Sequence, residues 1–75
     1  MILIVEDEAK IARFVQLELE HEGYSVKHIS DGRAALESAL THDYELIILD
    51  LMLPGMSGIE LLRRLRQSKD TPVII

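Results

Sequence analysis

The chain has no cysteine and no tryptophan. The first absence excludes disulfides and thiolate-held metals, and it suits a reducing compartment. Aromatic residues make up 4% of the chain, one Phe and two Tyr, so a core has to be packed from aliphatic side chains. Basic residues are outnumbered, 8 Lys and Arg against 13 Asp and Glu, for a formal net charge of −5. That balance excludes holding nucleic acid through bulk positive charge. No apolar run approaches the roughly 18 residues of a membrane-spanning helix. The apolar opening, Met1 to Val5, is too short for a signal-peptide core and runs into acids. These absences together predict a cytoplasmic protein with no membrane partner. At 75 residues there is room for one domain, 1–75, with no internal repeat, low-complexity tract or linker. A core of this size supplies only about 3–5 kcal/mol without staples.

What the chain does have is a short aliphatic run, Leu46 to Leu49, that ends in Asp50 and a loop broken by Pro54, Gly55 and Gly58. Such a run, bounded by turn residues, predicts a strand buried on both faces. Its acid falls at the carboxyl end of the strand, where parallel sheets keep their sites. Ile2 to Val5 is a second run of this kind, followed at once by Glu6, Asp7 and Glu8. Between them, Ile11, Phe14, Val15 and Leu19 fall on one helical face with Leu17 on its flank, and Gly23 is placed to end that helix. Tyr24 to Ser30 alternates, which predicts a half-exposed strand at a sheet edge.

Asp31-Gly32 marks a turn, and Ala35, Leu36, Ala39 and Leu40 line a helix over Arg33 to Thr41. Ser57 and Glu60 form an S-x-x-E capping box that opens a third helix, with Leu61, Leu62 and Leu65 inward and Arg63, Arg64 and Arg66 outward. Val73 to Ile75 begins a fourth strand. The order is β-α-β-α-β-α-β, and this alternation predicts an α/β fold on a parallel sheet, with the two most apolar strands inside. If those strands are neighbours, Glu6, Asp7 and Asp50 meet at one end of the sheet. Crowded carboxylates raise one another's pKa values, and a divalent cation removes the penalty. All-oxygen ligands favour Mg²⁺, and a carboxylate beside it can accept a phosphoryl group. The plainer alternative is that Glu6 and Asp7 serve only the dipole of the first helix and Asp50 merely ends a strand.

Two segments carry a resemblance: Val5-Glu6-Asp7-Glu8 after strand 1, and Asp50-Leu51-Met52-Leu53-Pro54-Gly55-Met56-Ser57-Gly58 after strand 3. With their spacing, the chain resembles the receiver domain of two-component response regulators, most closely the OmpR/PhoB-like branch. The resemblance implies a flavodoxin-like, doubly wound parallel sheet of order 2-1-3-4. It implies that Asp50 is the phospho-acceptor for a histidine kinase. It also implies that Mg²⁺ is held by Asp7, Asp50 and the backbone carbonyl of Met52, with Glu6 acting through a water or orienting Asp7. Many members carry Asp at the position of Glu6.

The family continues beyond strand 4 into a hydroxyl switch, a strand ending in a phosphate-pairing Lys and a last helix, followed in this branch by a DNA-binding output domain. Those parts lie outside this sequence, so the chain is expected to be the N-terminal part of a receiver that does not signal alone. Its bare strand 4 edge is expected to pair in a homodimer or strand-swapped assembly. DNA is expected to be reached only through an output domain. The class implied is a signalling phospho-acceptor rather than an enzyme. An aspartyl-phosphate hydrolase is the alternative, but Met52 stands where such enzymes need a second acid. An inert assembly module is the third reading, and Mg²⁺ binding separates it from the first. Of the other residues, His21, His28 and His42 share no ligand spacing and are expected to be exposed. Tyr24 and Tyr44 are expected to be half-buried, and the helix 3 arginines with Lys69 to form a solvated face.

Overall fold

A computed structural model describes all residues, 1–75. The elements are β1 (Ile2–Val5), α1 (Ala9–His21), β2 (Val26–Ile29), α2 (Gly32–Thr41), β3 (Leu46–Leu49), α3 (Gly58–Arg66) and β4 (Val73–Ile74). The strands form one sheet in the order β2-β1-β3-β4, and every pair is parallel. The α/β class, the order and the edge position of β2 agree with the sequence reading. The two aliphatic runs lie side by side inside the sheet; β1 is buried on both faces as expected, but β3 is fully buried only at Ile47 and Leu49, with Leu46 and Ile48 half-buried.

Side-chain alternation along the strands divides the core. Leu3, Val5, Ile47 and Leu49 point to one face and pack with Ala35, Leu36 and Ala39 of α2 and Leu61 and Leu65 of α3. Lys69 joins this layer to the other end of the sheet, its Nζ donating to the His42 carbonyl and to Asp43 at 2.7 and 3.1 Å. It is half-buried rather than part of a solvated face.

The opposite face carries Ile4 and Ile48 and is covered by α1, which leaves an apolar cavity of about 380 Å³ lined also by Ile11, Ala12 and Val15. On this face α1 does not bury the residues expected of it. Ala12 is the only fully buried residue of α1, Val15 and Leu19 are half-buried, and Ile11, Phe14 and Leu17 are exposed, Phe14 by 66%. Two overlapping apolar stripes run along this helix. The helix seats on 12-15-19 because the small Ala12 allows its backbone closest to the sheet. Leu40 and Tyr24 are likewise more exposed than expected.

The helix starts follow their caps. Asp31 accepts the Ala34 N–H at 3.0 Å, so α2 begins one residue earlier than the turn signal suggested. Ser57 Oγ accepts the Glu60 N–H at 3.2 Å, but the Glu60 carboxylate turns to Arg63 and Arg64, so only half of the capping box forms. The Arg64 hydrogen bond, and then the charges of Arg63 and Arg64, hold the Glu60 carboxyl below its usual range.

Tyr44 is buried, and its hydroxyl meets Ser38 Oγ at 2.6 Å. Tyr44→Phe is expected to lower unfolding free energy by about 1 kcal/mol in urea titrations, because it strands a buried hydroxyl. Adding Ser38→Ala is expected to recover most of that loss, since it removes the stranded group.

Candidate metal and phosphoryl site

The strand register builds the site. β1 pairs with β3 from Ile2↔Leu46 to Val5↔Leu49, so the next residues, Glu6 and Asp50, fall on one rung. The Asp50 N–H donates to the Val5 carbonyl at 2.9 Å and carries the ladder one step past β3. On a shared rung of a parallel sheet, side chains project to the same face. Asp7 enters from the turn into α1. Carboxylate oxygens of Glu6, Asp7 and Asp50, one from each, all lie within 4.8 Å of one another. The sequence reading brought these three together, and the structure does so.

Each acid has a distinct setting. Glu6 is half-buried, and its carboxylate accepts the Glu8 N–H at 3.0 Å. Glu8 caps α1 by position but makes no side-chain capping bond. Asp7 is exposed. Asp50 is half-buried, and its Oδ1 accepts the Met52 N–H at 3.1 Å, which sets the carboxylate's orientation. The Met52 side chain is 84% exposed, and the residue meets Asp50 through its backbone N–H.

The Glu6 carboxyl is pushed above its usual range. Burial is the largest cause, the Glu8 N–H opposes it, and the charge and hydrogen bonding of Asp50 and the charge of Asp7 add to it. A folded-state pKa raised in this way means that the stability from Glu6 is present at low pH and lost as pH rises through the raised value. Glu6→Gln keeps an acceptor for the Glu8 N–H and removes the charge. It is expected to raise the melting temperature of the metal-free protein by a few degrees at neutral pH, with the gain disappearing in acid where Glu6 is already protonated.

The loop after Asp50 is held from α2. The Gly32 N–H donates to the Pro54 carbonyl at 3.0 Å, and Arg33 Nε donates to the Gly55 carbonyl at 3.3 Å. At the start of α3, the Gly58 N–H donates to the Leu51 carbonyl at 2.8 Å. No sequence spacing linked Asp31-Gly32 to this loop.

The three histidines are not all exposed, contrary to expectation. His21 and His42 are exposed, but His28 is half-buried, and its Nε2 lies 2.7 Å from the Glu6 carbonyl. A single histidine in an edge strand carries no spacing signal, so nothing in the sequence pointed to this contact.

An interior pair of parallel strands, an acid triad at their carboxyl ends and a loop closed by Pro54 and Gly58 are the marks of a receiver. Residues 2–75 match the response regulator receiver domain family. The chain belongs to that family. It is 57% identical over 74 residues to the response regulator ArlR of Staphylococcus saprophyticus, a match covering 99% of this chain and 34% of that protein. The chain thus spans about a third of the length of the curated relatives it matches.

Among solved structures, it is similar to the response regulator TrrA of Thermotoga maritima in complex with Mg²⁺ and BeF, at 36% identity and a TM-score of 0.91, covering 99% of this chain and 65% of that one. It is also similar to TrrA in complex with the histidine kinase ThkA, at 37% identity and a TM-score of 0.88, covering 96% and 63%.

Proposed function

We propose that this chain is the phospho-accepting part of a two-component response regulator and that Asp50 takes a phosphoryl group from a phosphohistidine of a histidine kinase. The observation that carries the reading is the position of Asp50: it ends an interior strand, on one rung with Glu6 and in reach of Asp7. An oxygen of its carboxylate attacks phosphorus, the P–O bond forms as the P–N bond breaks, and the leaving imidazole nitrogen keeps the electron pair and takes up a proton. The product is an acyl phosphate on Asp50, and the chain acts as an acceptor rather than a turnover enzyme. Asp50 is held for this by the Met52 N–H on Oδ1.

The donor set fits Mg²⁺. Three carboxylates converge with no sulfur or imidazole ligand among them, and the Glu6 carboxyl is raised by burial first and, to a lesser degree, by the charges of Asp50 and Asp7. Asp7, Asp50 and the Met52 carbonyl would hold the ion, with Glu6 acting through a water or orienting Asp7. Bound Mg²⁺ would neutralise the clustered carboxylates and the charge on the phosphoryl oxygens. The resemblance to TrrA, solved with Mg²⁺ and BeF and with a kinase, supports both the ion and the donor.

In a longer protein of the ArlR kind, the same chemistry would control a DNA-binding transcription regulator in the cytoplasm. No helix here is long and apolar enough to cross a membrane. β4 lies at the sheet edge, and its residue Ile74 is exposed. An unpaired apolar edge is a template for another strand, so a homodimer or strand-swapped assembly through β4 is part of the proposal. Sedimentation of the 75-residue chain as a folded monomer at micromolar concentration would remove that part.

The central reading is tested with acetyl phosphate or a phosphorylated kinase. The chain is expected to gain one phosphoryl group by intact mass, to require Mg²⁺, to lose the label in hydroxylamine as acyl phosphates do, and to carry it on the peptide containing Asp50. A label on another residue, or labelling unaffected by EDTA, would overturn the assignment.

A further inference from the structure

We infer that His28 is a positioning residue for the acid cluster: through its hydrogen bond to the Glu6 carbonyl it holds the β1–α1 turn in the form that brings Glu6 and Asp7 to Asp50. The inference rests on the metal reading above and adds a residue which that reading does not contain.

β1 and β2 pair from Ile2↔Val26 to Val5↔Ile29, and the Ile29 carbonyl accepts the Glu6 N–H at 3.3 Å. One rung further, a continuing parallel ladder would satisfy the Glu6 carbonyl with the N–H of Asp31. The chain has left the sheet by then, because Asp31 is the N-cap of α2. The His28 ring takes the vacated place, with Nε2 2.7 Å from the Glu6 oxygen. A carbonyl oxygen only accepts, so Nε2 carries the proton. His28 pairs with Ile4, which puts its side chain on the α1 face of the sheet, the face toward which Glu6 and Asp50 project.

The turn has little else to fix it. Its internal bond runs from the Glu8 N–H to the Glu6 carboxylate, and the α1 N-cap contributes no side-chain bond. His28 is the one side chain from another element that hydrogen-bonds the backbone of Glu6, Asp7 or Glu8. Fixing the Glu6 carbonyl fixes the plane of the peptide between Glu6 and Asp7, and that plane sets where the Asp7 carboxylate starts from. Groups that orient a ligand without touching the metal typically change affinity by about 10- to 100-fold.

The test is isothermal titration of MgCl₂ into the purified protein and its variants, at a temperature where circular dichroism shows each to be folded. His28→Leu removes the donor. His28→Asn carries a donor too close to the backbone to reach the Glu6 oxygen. His28→Gln places an amide N–H where Nε2 stands. The leucine and asparagine variants are expected to bind Mg²⁺ about tenfold more weakly, and the glutamine variant to stay within about twofold of the parent.

In the parent, nitrogen-15 spectra of the imidazole are expected to report a protonated Nε2. Equal affinity in all four proteins overturns the inference and leaves the metal reading intact. So does a glutamine variant that regains thermal stability but not affinity. A parent that takes no Mg²⁺ overturns both.

Discussion

Asp50→Asn is expected to reduce phosphoryl labelling to background while leaving the fold in place. Asparagine has the volume of aspartate, and its Oδ1 can still accept the Met52 N–H that sits 3.1 Å from the present oxygen. What disappears is the ionised oxygen that forms the new bond to phosphorus, and an amide does not replace it. The substitution also removes one charge from the triad. The metal-free variant is therefore expected to melt higher than the parent, because like charges held within a few ångströms oppose folding.

The two effects have opposite sign and separate readouts, intact mass for the first and a thermal melt for the second. A variant that is more stable and cannot be labelled is what a site maintained at some expense of stability predicts. A variant that labels as before would move the acceptor to another residue. Loss of labelling together with loss of fold would point to a structural role for Asp50.

Gly58→Ala is expected to damage the fold and the acid site together. A Cβ at Gly58 would stand 2.5 Å from the Asp50 carbonyl oxygen and 2.7 Å from Leu51 Cα. Both are backbone atoms at the end of an interior strand, so no side chain can swing aside. Overpacking of this kind costs about 1–3 kcal/mol, against a total of about 3–5 kcal/mol for a core of this size. The damage falls on the peptide that carries Asp50, so Mg²⁺ affinity is expected to fall with the urea midpoint.

Gly23→Ala is the control. Gly23 has φ +95°, a conformation L side chains avoid, but a Cβ there meets nothing within 4 Å. It is expected to cost about 1 kcal/mol through backbone strain alone and to leave Mg²⁺ binding unchanged. Equal losses of affinity in the two variants would mean that general destabilisation, rather than the crowding of Asp50, weakens the site.

The parts of this molecule that were legible in the chain are those set by local chemistry. Aliphatic runs of four residues with β-branched content favour interior strands, and they appear as β1, buried throughout, and β3, buried on one face and half-buried on the other. The alternation after Gly23 described a strand with one wet face, and β2 is at the edge. Ser57 before an apolar run announced α3 because a hydroxyl there accepts an otherwise unpaired amide. The triad was legible for a related reason. Two interior parallel strands in register must end at the same level, so acids that follow them directly must meet.

What was illegible depends on distances between elements. The periodicity of α1 contains two stripes, and only the fit of Ala12 against the sheet selects between them. His28 gives no pattern in its own strand; its role arises because the neighbouring strand runs one rung further than β2 can follow. The clamp from Gly32 and Arg33 onto the loop after Asp50 joins segments more than 20 residues apart, and no spacing rule relates them.

The sequence by itself therefore determined the element order, the class of fold, the interior strands and the identity of the acids at their ends, because each follows from burial and capping within a few consecutive residues. The tertiary structure alone decided which stripe of α1 faces inward, which backbone carbonyl His28 occupies and why position 58 must be glycine. Those choices turn on close contacts between groups in different elements, and close packing is sensitive to small differences in such contacts.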